Sequence, residues 1–172
     1  MRSKRVPKLA STSDSKAVEN AWQIHDAQMD WTGKVDTKAA FALTFQTAIL
    51  AVAVSLLPDM DTRLEYALNG LSILLVSAGA VFAASVVAPA LRMKHVAAEA
   101  ASNFIYFGHA RAWEPDALAD ELRRTDLTDQ VARQVVVMAK IVWGKHRRVA
   151  WSIWLAVVGG GLLLASAVVS RI

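Results

Sequence analysis

Three long apolar runs divide the chain, and the first covers residues 39–57 without a charged side chain. A helix of this length crosses the roughly 30 Å hydrocarbon core of a bilayer. Similar runs cover residues 66–88 and 149–170. An amphipathic soluble helix would carry a polar stripe at helical spacing, which these runs lack. The pattern predicts three transmembrane helices.

The segments outside these runs also show helical periodicity. Val18, Trp22 and Met29 share one face of a helix over residues 15–38, which continues into the first span. Between spans two and three, we expect helices over 91–111, over 115–124 with Pro115 in the first turn, and from about Leu127 onward. The sequence thus predicts an all-α membrane protein whose spans continue into a cytoplasmic helical bundle at about 15–38 and 90–148.

The first fourteen residues differ from the rest. They are basic and rich in serine, and no apolar run follows their charges as in a secretory signal. We interpret residues 1–14 as a disordered tail.

The distribution of Lys and Arg predicts the orientation. Of the nineteen, seven precede the first span and ten lie between the second and third, while only Arg63 and Arg171 lie elsewhere. By the positive-inside rule, the N-terminus and most polar residues are cytoplasmic and the C-terminus is outside. We expect a multi-pass protein of the plasma (inner) membrane.

Composition narrows the function classes. The chain is 55% hydrophobic, with a mean hydropathy of +0.33 and a net charge of +4. The basic residues flank apolar runs, so they indicate topology rather than nucleic-acid binding. There is no cysteine, which excludes disulfides, cysteine–zinc sites and thiol catalysis.

No catalytic or cofactor motif is present. The four histidines (His25, His95, His109 and His146) lie on different segments without HxxxH or HExxH spacing. GxSxG, GxGxxG and P-loop patterns are also missing. We expect no metal site, no cofactor and no enzymatic activity.

The polar residues that suggest a ligand site lie beside the spans. Aromatic faces for a base, with Lys and Arg for a phosphate, suit a small nucleotide. On a helix, Asn103 and Tyr106 share one face and Phe107 and Arg111 another. The candidate ligand-binding residues are Asp36, Lys38, Asn103, Tyr106, Phe107, His109 and Arg111. Trp22, His25 and Trp31 join them if the two helices pack together.

Each candidate also has a simpler interpretation. Lys38 can snorkel to lipid headgroups, and aromatic residues at helical spacing are commonly bundle core. Residues 145–148 (KHRR) are interpreted as a topological signal and headgroup contact. Gln46 and Asn69 either line a pore or form hydrogen bonds between helices, the commoner role.

Three segments resemble the transmembrane class of the Pycsar effector family, small bacterial membrane proteins of anti-phage defence. They are AWQIHDAQMDWTGKVDTKAAFALTFQTAIL, NFIYFGHAR and RQVVVMAKIVWGKHRRVAWSIWLA, within residues 15–169. The most specific piece is Asp36-x-Lys38-Ala39, supported by Asn103-x-x-Tyr106-Phe107.

The resemblance implies a two-gene system in which a partner cyclase makes cyclic CMP or cyclic UMP after infection. The effector then impairs the inner membrane and stops the infected cell.

Three spans are few to enclose a pore, so we expect a homo-oligomer in contact with membrane lipids, with the small-residue faces of spans two and three at the contacts. The alternative is a membrane-anchored scaffold whose cytoplasmic bundle docks a partner.

Overall fold

The computed structural model describes residues 12–89 and 103–171, and the regular structure within these ranges is helical. The long helices are α1 (Thr12–Ser55), α2 (Arg63–Val87) and α5 (Thr128–Val169), and a 3₁₀ turn (Leu57–Asp59) follows α1. Two short helices, α3 (Phe107–Ala110) and α4 (Pro115–Arg124), precede α5.

The three long helices are the ones long and apolar enough to cross a membrane within the described ranges. The predicted all-α fold with three spans is confirmed. At 1.5 Å per residue, the 44-residue α1 is about 66 Å long, roughly twice the hydrocarbon thickness. Both α1 and the 42-residue α5 are therefore longer than a span requires.

The chain forms two compact units. The membrane unit consists of Trp31–Pro89 and Ile141–Ile172, and the polar unit of Met1–Asp30 and Ala90–Lys140. Helices α1 and α5 each contribute residues to both units, since the boundaries at Asp30 and Lys140 fall inside them.

Helices α2 and α5 pack antiparallel at a spacing of seven residues. The Ser166 hydroxyl donates to the Glu65 carbonyl oxygen (3.3 Å), and the Ser72 hydroxyl donates to the Gly159 carbonyl oxygen (2.7 Å). One step further, a Cβ added at Gly79 would lie 3.0 Å from the Ser152 carbonyl oxygen. This regular step is the seven-residue repeat of helices that pack side by side over several turns.

Helix α1 completes the bundle through two amides. The Gln46 amide nitrogen donates to both the carbonyl oxygen (2.9 Å) and the hydroxyl (2.8 Å) of Ser152. The Asn69 amide nitrogen donates to the Ala53 carbonyl oxygen at 2.8 Å. The interpretation of Gln46 and Asn69 as hydrogen-bonding residues between helices agrees with these contacts. We call this set of inter-helix hydrogen bonds the polar seam.

Small residues make the close approach possible. Gly79 and Gly159 are buried against neighbouring helices, where an added Cβ would come within 3.0 Å of their atoms. Small residues of this kind let membrane helices approach closely. These members of the small-residue faces therefore contact the other helices of the same chain. The contacts expected between copies of the chain stay a prediction.

The helix ends have local causes. Pro58 follows α1 in the 3₁₀ turn, and Thr62 caps the start of α2. The Glu65 N–H donates to the Thr62 hydroxyl (3.2 Å), which donates to the Glu65 carboxylate (2.7 Å). Helix α2 ends at Val87, two residues before Pro89, because the residue preceding a proline avoids helical geometry.

In the polar unit, the helix predicted over 91–111 is wrong in its last part. Asn103 to Tyr106 are not helical, and the amides of His109 and Ala110 donate to the Tyr106 carbonyl oxygen to start α3. Residues 90–102 lie outside the described residues. The premise that Asn103 and Tyr106 share a helix face is therefore wrong.

The next two helices match their predictions. Helix α4 has the bounds expected from Pro115, and α5 begins one residue after Leu127. The Thr128 N–H and hydroxyl both donate to the Asp126 carboxylate (2.9 and 2.7 Å), which lowers the pKa of Asp126 below its usual value.

Helix α1 also differs in detail from its prediction. It begins at Thr12, inside the segment interpreted as a tail, while residues 1–11 lie outside the described residues. Met29, which the periodicity places on one face with Val18 and Trp22, is 51% exposed. The neighbouring Gln28 is buried.

Candidate functional site

Asp36 forms an ion pair that links two helices of the membrane unit. The Lys145 ammonium lies 2.6 and 2.8 Å from the two Asp36 carboxylate oxygens, so α5 supplies the charge opposite α1. The Lys145 side chain is 19% exposed and that of Asp36 36%, which makes the pair partly shielded from water. Lys145, interpreted from sequence as a topological signal, therefore has a specific partner.

An apolar cluster lies next to the ion pair. Val35, Ala39, Val86 and Val149, from all three long helices, form a buried group. Val35 and Ala39 flank Asp36 along α1. The pair thus lies where the apolar interior of the membrane unit gives way to polar residues.

Lys38 differs from Asp36 in its surroundings. Its side chain is exposed, as are Arg147 and Arg148 on α5. Asp36 on α1 lies opposite Lys145 on α5. Lys38 follows Asp36 by two residues along α1, and Arg147 follows Lys145 by two residues along α5. The structure brings Asp36 to Lys145 and leaves Lys38 at the surface.

The NFIYFGHAR segment folds around Trp113. The Phe104 ring is buried and meets the Trp113 ring edge to face, with 5.9 Å between centroids. The Trp113 indole N–H donates to the Asn103 carbonyl oxygen at 3.3 Å. These contacts hold the non-helical stretch that precedes α3.

Three of the predicted residues lie together. The Tyr106 ring lies 4.5 Å from the Phe107 ring and 5.3 Å from the His109 ring. It also covers Gly108, where an added Cβ would collide with it. His109 is buried, whereas Phe107 is 66% exposed and Arg111 is also at the surface.

Asn103 has a partner that sequence reasoning missed. Arg133, on α5, donates from Nη1 to the Asn103 side-chain oxygen at 3.4 Å. Thirty residues separate the two, and no spacing pattern connects them. Sequence reasoning also missed Trp113. This residue lies two positions after Arg111, so its place beside the candidate residues was visible in the sequence.

The predicted site residues belong to different units. Asp36 and Lys38 are in the membrane unit, and the other five (Asn103, Tyr106, Phe107, His109 and Arg111) are in the polar unit. Of the three added residues, Trp22 and His25 belong to the polar unit and meet ring to ring at 5.4 Å, while Trp31 is 53% exposed in the membrane unit.

Two amide oxygens in the polar seam are buried without a partner. They are Oε1 of Gln46 and Oδ1 of Asn69, both on side chains that are 0% exposed. Each amide therefore uses its donor and leaves its acceptor unsatisfied, a cost that persists in an apolar environment. Among the described residues, no group of three His, Asp or Glu side chains is placed to hold a metal ion.

Three apolar helices, joined by a polar seam and accompanied by a helical unit with exposed aromatic and basic residues, define a three-span helical membrane protein. Comparison with known families matches residues 20–171 to the Pycsar effector protein domain. The chain belongs to the Pycsar effector family, and it is a membrane effector of anti-phage defence whose family implies a cyclic-nucleotide signal from a cyclase partner. No curated protein and no solved structure matches it.

Proposed function

We propose that this protein senses a cyclic pyrimidine nucleotide, cyclic CMP or cyclic UMP, and responds by impairing the inner membrane. The observation that carries the proposal is the family match over residues 20–171, together with three spans. In this proposal the protein acts by binding and conformational change, without catalysis or a cofactor.

The surface of the polar unit supports a nucleotide site. Phe107 offers an exposed ring on which a pyrimidine can stack, and Arg111 an exposed guanidinium for the cyclic phosphate. Tyr106 lies beneath this surface, against Phe107 and His109. Arg133, held by Asn103, adds a second cation to the same unit.

Two continuous helices support the transmission of the signal. Because α1 and α5 each run from the polar unit into the membrane unit, a ligand that prefers one arrangement of the polar unit shifts the population of the membrane arrangement. Asp36 and Lys38 lie on α1 just inside the membrane unit. We propose that they act at this junction, with the N-terminus and polar unit in the cytoplasm.

The packed interior of the membrane unit supports assembly. Gln46, Asn69 and Ser72 are fully buried at its centre, so the space between the three helices is filled. This packing does not favour an aqueous path through the middle of one bundle. We propose that copies of the chain associate to impair the membrane.

The direct test is to co-express the protein with a pyrimidine cyclase and record membrane potential. We expect depolarisation on production of cyclic CMP or cyclic UMP, and its loss in Arg111→Ala and Tyr106→Ala at unchanged protein level. Tyr106→Phe, which keeps the ring over Gly108, retains the response.

The matched control is Arg123→Ala, which removes an exposed arginine from α4, where it pairs with Asp120. It is expected to depolarise normally. No depolarisation by the unchanged protein with either nucleotide contradicts the function, and a stable copurifying partner without toxicity favours a scaffold. A normal response in Arg111→Ala and Tyr106→Ala contradicts only the site.

A further inference from the structure

One face of α5 joins tryptophans and arginines at the end of the membrane unit. Trp143, Arg147, Trp151 and Trp154 follow one another at steps of four, four and three residues, which places them on the same side of the helix. Arg148 is exposed beside them. We call these five residues the Trp–Arg face.

The rings of this face point away from the bundle. Trp143 is 69% exposed, Trp151 57% and Trp154 65%, although each ring is large enough to fill a core. The opposite side of α5 supplies the buried Val149 and Ser152. Within the described part of the chain, most of the surface of the three indoles is therefore left uncovered.

The face has the dimensions of a membrane interface. From Trp143 to Trp154 the helix rises about 16 Å, which exceeds the roughly 5–8 Å of one headgroup layer and reaches into the hydrocarbon. Arg147 lies one turn from a tryptophan on either side. Indoles prefer this boundary because their N–H group needs a polar partner while their rings need an apolar one.

Among its described residues, the membrane unit supplies no carboxylate partner for Arg147 and Arg148. The acid on α1 nearest to them in the helix register, Asp36, is bound to Lys145. The sequence contains no Asp or Glu from 37 to 58, from 66 to 89 or from 141 to 172. Arg147 and Arg148 are exposed and can therefore pair with an anion from outside the membrane unit.

We propose that the Trp–Arg face binds the phosphate headgroup of an anionic phospholipid such as phosphatidylglycerol. The two guanidinium groups hold the phosphate and the negative charge, while Trp151 and Trp154 contact the acyl chains. This inference does not depend on nucleotide sensing, since it concerns the membrane unit alone.

The test is tryptophan fluorescence quenching by phospholipids brominated in the acyl chains, with the full chain in bilayers of phosphatidylcholine and phosphatidylglycerol. We expect the anionic lipid to bind about three- to tenfold more tightly than phosphatidylcholine at low salt. In Arg147→Gln/Arg148→Gln this ratio falls to about one, and Arg147→Lys/Arg148→Lys retains most of it.

The matched control is Arg123→Gln/Arg124→Gln, the same change at an adjacent exposed pair on α4. It is expected to leave the lipid ratio unchanged, and circular dichroism verifies the helix content of every variant. A ratio near one in the unchanged protein overturns the proposal, as does an equal loss in the control. Weak quenching by both lipids also overturns it, because the face is then covered by another protein chain.

Discussion

Two glycines of the same triplet have different surroundings. A Cβ added at Gly159 would lie 2.5 Å from Cγ2 of Val76 and 3.2 Å from the Ser72 carbonyl oxygen, whereas one added at Gly161 meets no atom within 4 Å. The sequence GGG does not distinguish these positions. Only the packing of α2 against α5 makes the first glycine necessary.

We predict that Gly159→Ala destabilises the membrane unit by about 1–3 kcal/mol, because the methyl group forces α2 and α5 apart. Gly161→Ala is expected to be neutral or to stabilise by up to about 1 kcal/mol, since alanine is the better helix former. Thermal unfolding in mild detergent, followed by circular dichroism, measures both. Equal effects of the two substitutions are incompatible with the observed helix contact.

The Asp36–Lys145 ion pair is a second feature at the residue scale. We predict that Asp36→Asn and Lys145→Gln each lower the free energy of unfolding. The double variant is expected to lower it by less than the sum of the two single effects. The expected coupling is about 1 kcal/mol, since the pair is partly exposed. A double-mutant cycle on the unfolding free energy measures it, and strictly additive losses exclude the interaction.

The same residues connect to the proposed function. If Asp36→Asn with Lys38→Gln leaves nucleotide-triggered toxicity intact, the two residues only anchor the helix. Lys38→Gln alone is the informative control, because its exposed side chain is not part of the ion pair.

At the scale of elements, α1 is continuous from Thr12 to Ser55 and passes through Gly33 without a break. Gly33 lies three residues past the unit boundary, and an added Cβ would meet no atom within 4 Å. The helix therefore tolerates a side chain at this position. It does not tolerate a proline, which lacks the backbone N–H group and so interrupts the hydrogen bonds of the helix.

We predict that Gly33→Pro abolishes nucleotide-triggered depolarisation while the protein still inserts, because it breaks α1 close to the boundary of the two units. Gly33→Ala, the matched control, is expected to respond as the unchanged protein does. Membrane potential and the amount of membrane-bound protein are measured together. A full response in Gly33→Pro shows that α1 does not transmit the signal.

At the scale of the whole molecule, the membrane unit carries different charges at its two ends. One end has five basic residues against Asp36, and the other has Asp59, Asp61 and Glu65 against Arg63 and Arg171. Such an asymmetry orients a protein with its basic end in the cytoplasm.

Cysteine labelling tests this orientation, because the chain has no cysteine of its own. We predict that Asp61→Cys reacts with a membrane-impermeant maleimide in intact spheroplasts. Ala112→Cys, at an exposed position of the polar unit, is expected to react only after lysis. The reverse pattern contradicts the predicted topology.

Some features follow from local sequence and were therefore predictable. Apolar runs of sufficient length give three spans, Pro115 sets the start of α4, and Pro58 ends α1. The last part of the helix predicted over 91–111 is wrong because Asn103 and Phe104 contact Trp113 in a non-helical stretch, and helix propensity does not include such contacts.

The sequence alone determined the class of protein, its family and the spans. The length of an apolar run and the spacing of a motif are both properties of a single segment, so they can be read without knowing how the helices pack. Tertiary structure alone decided which residues meet: Lys145 with Asp36, Gln46 with Ser152, and Arg133 with Asn103. These pairs join residues 109, 106 and 30 positions apart. Their register is set by how whole helices pack, and no local pattern records it.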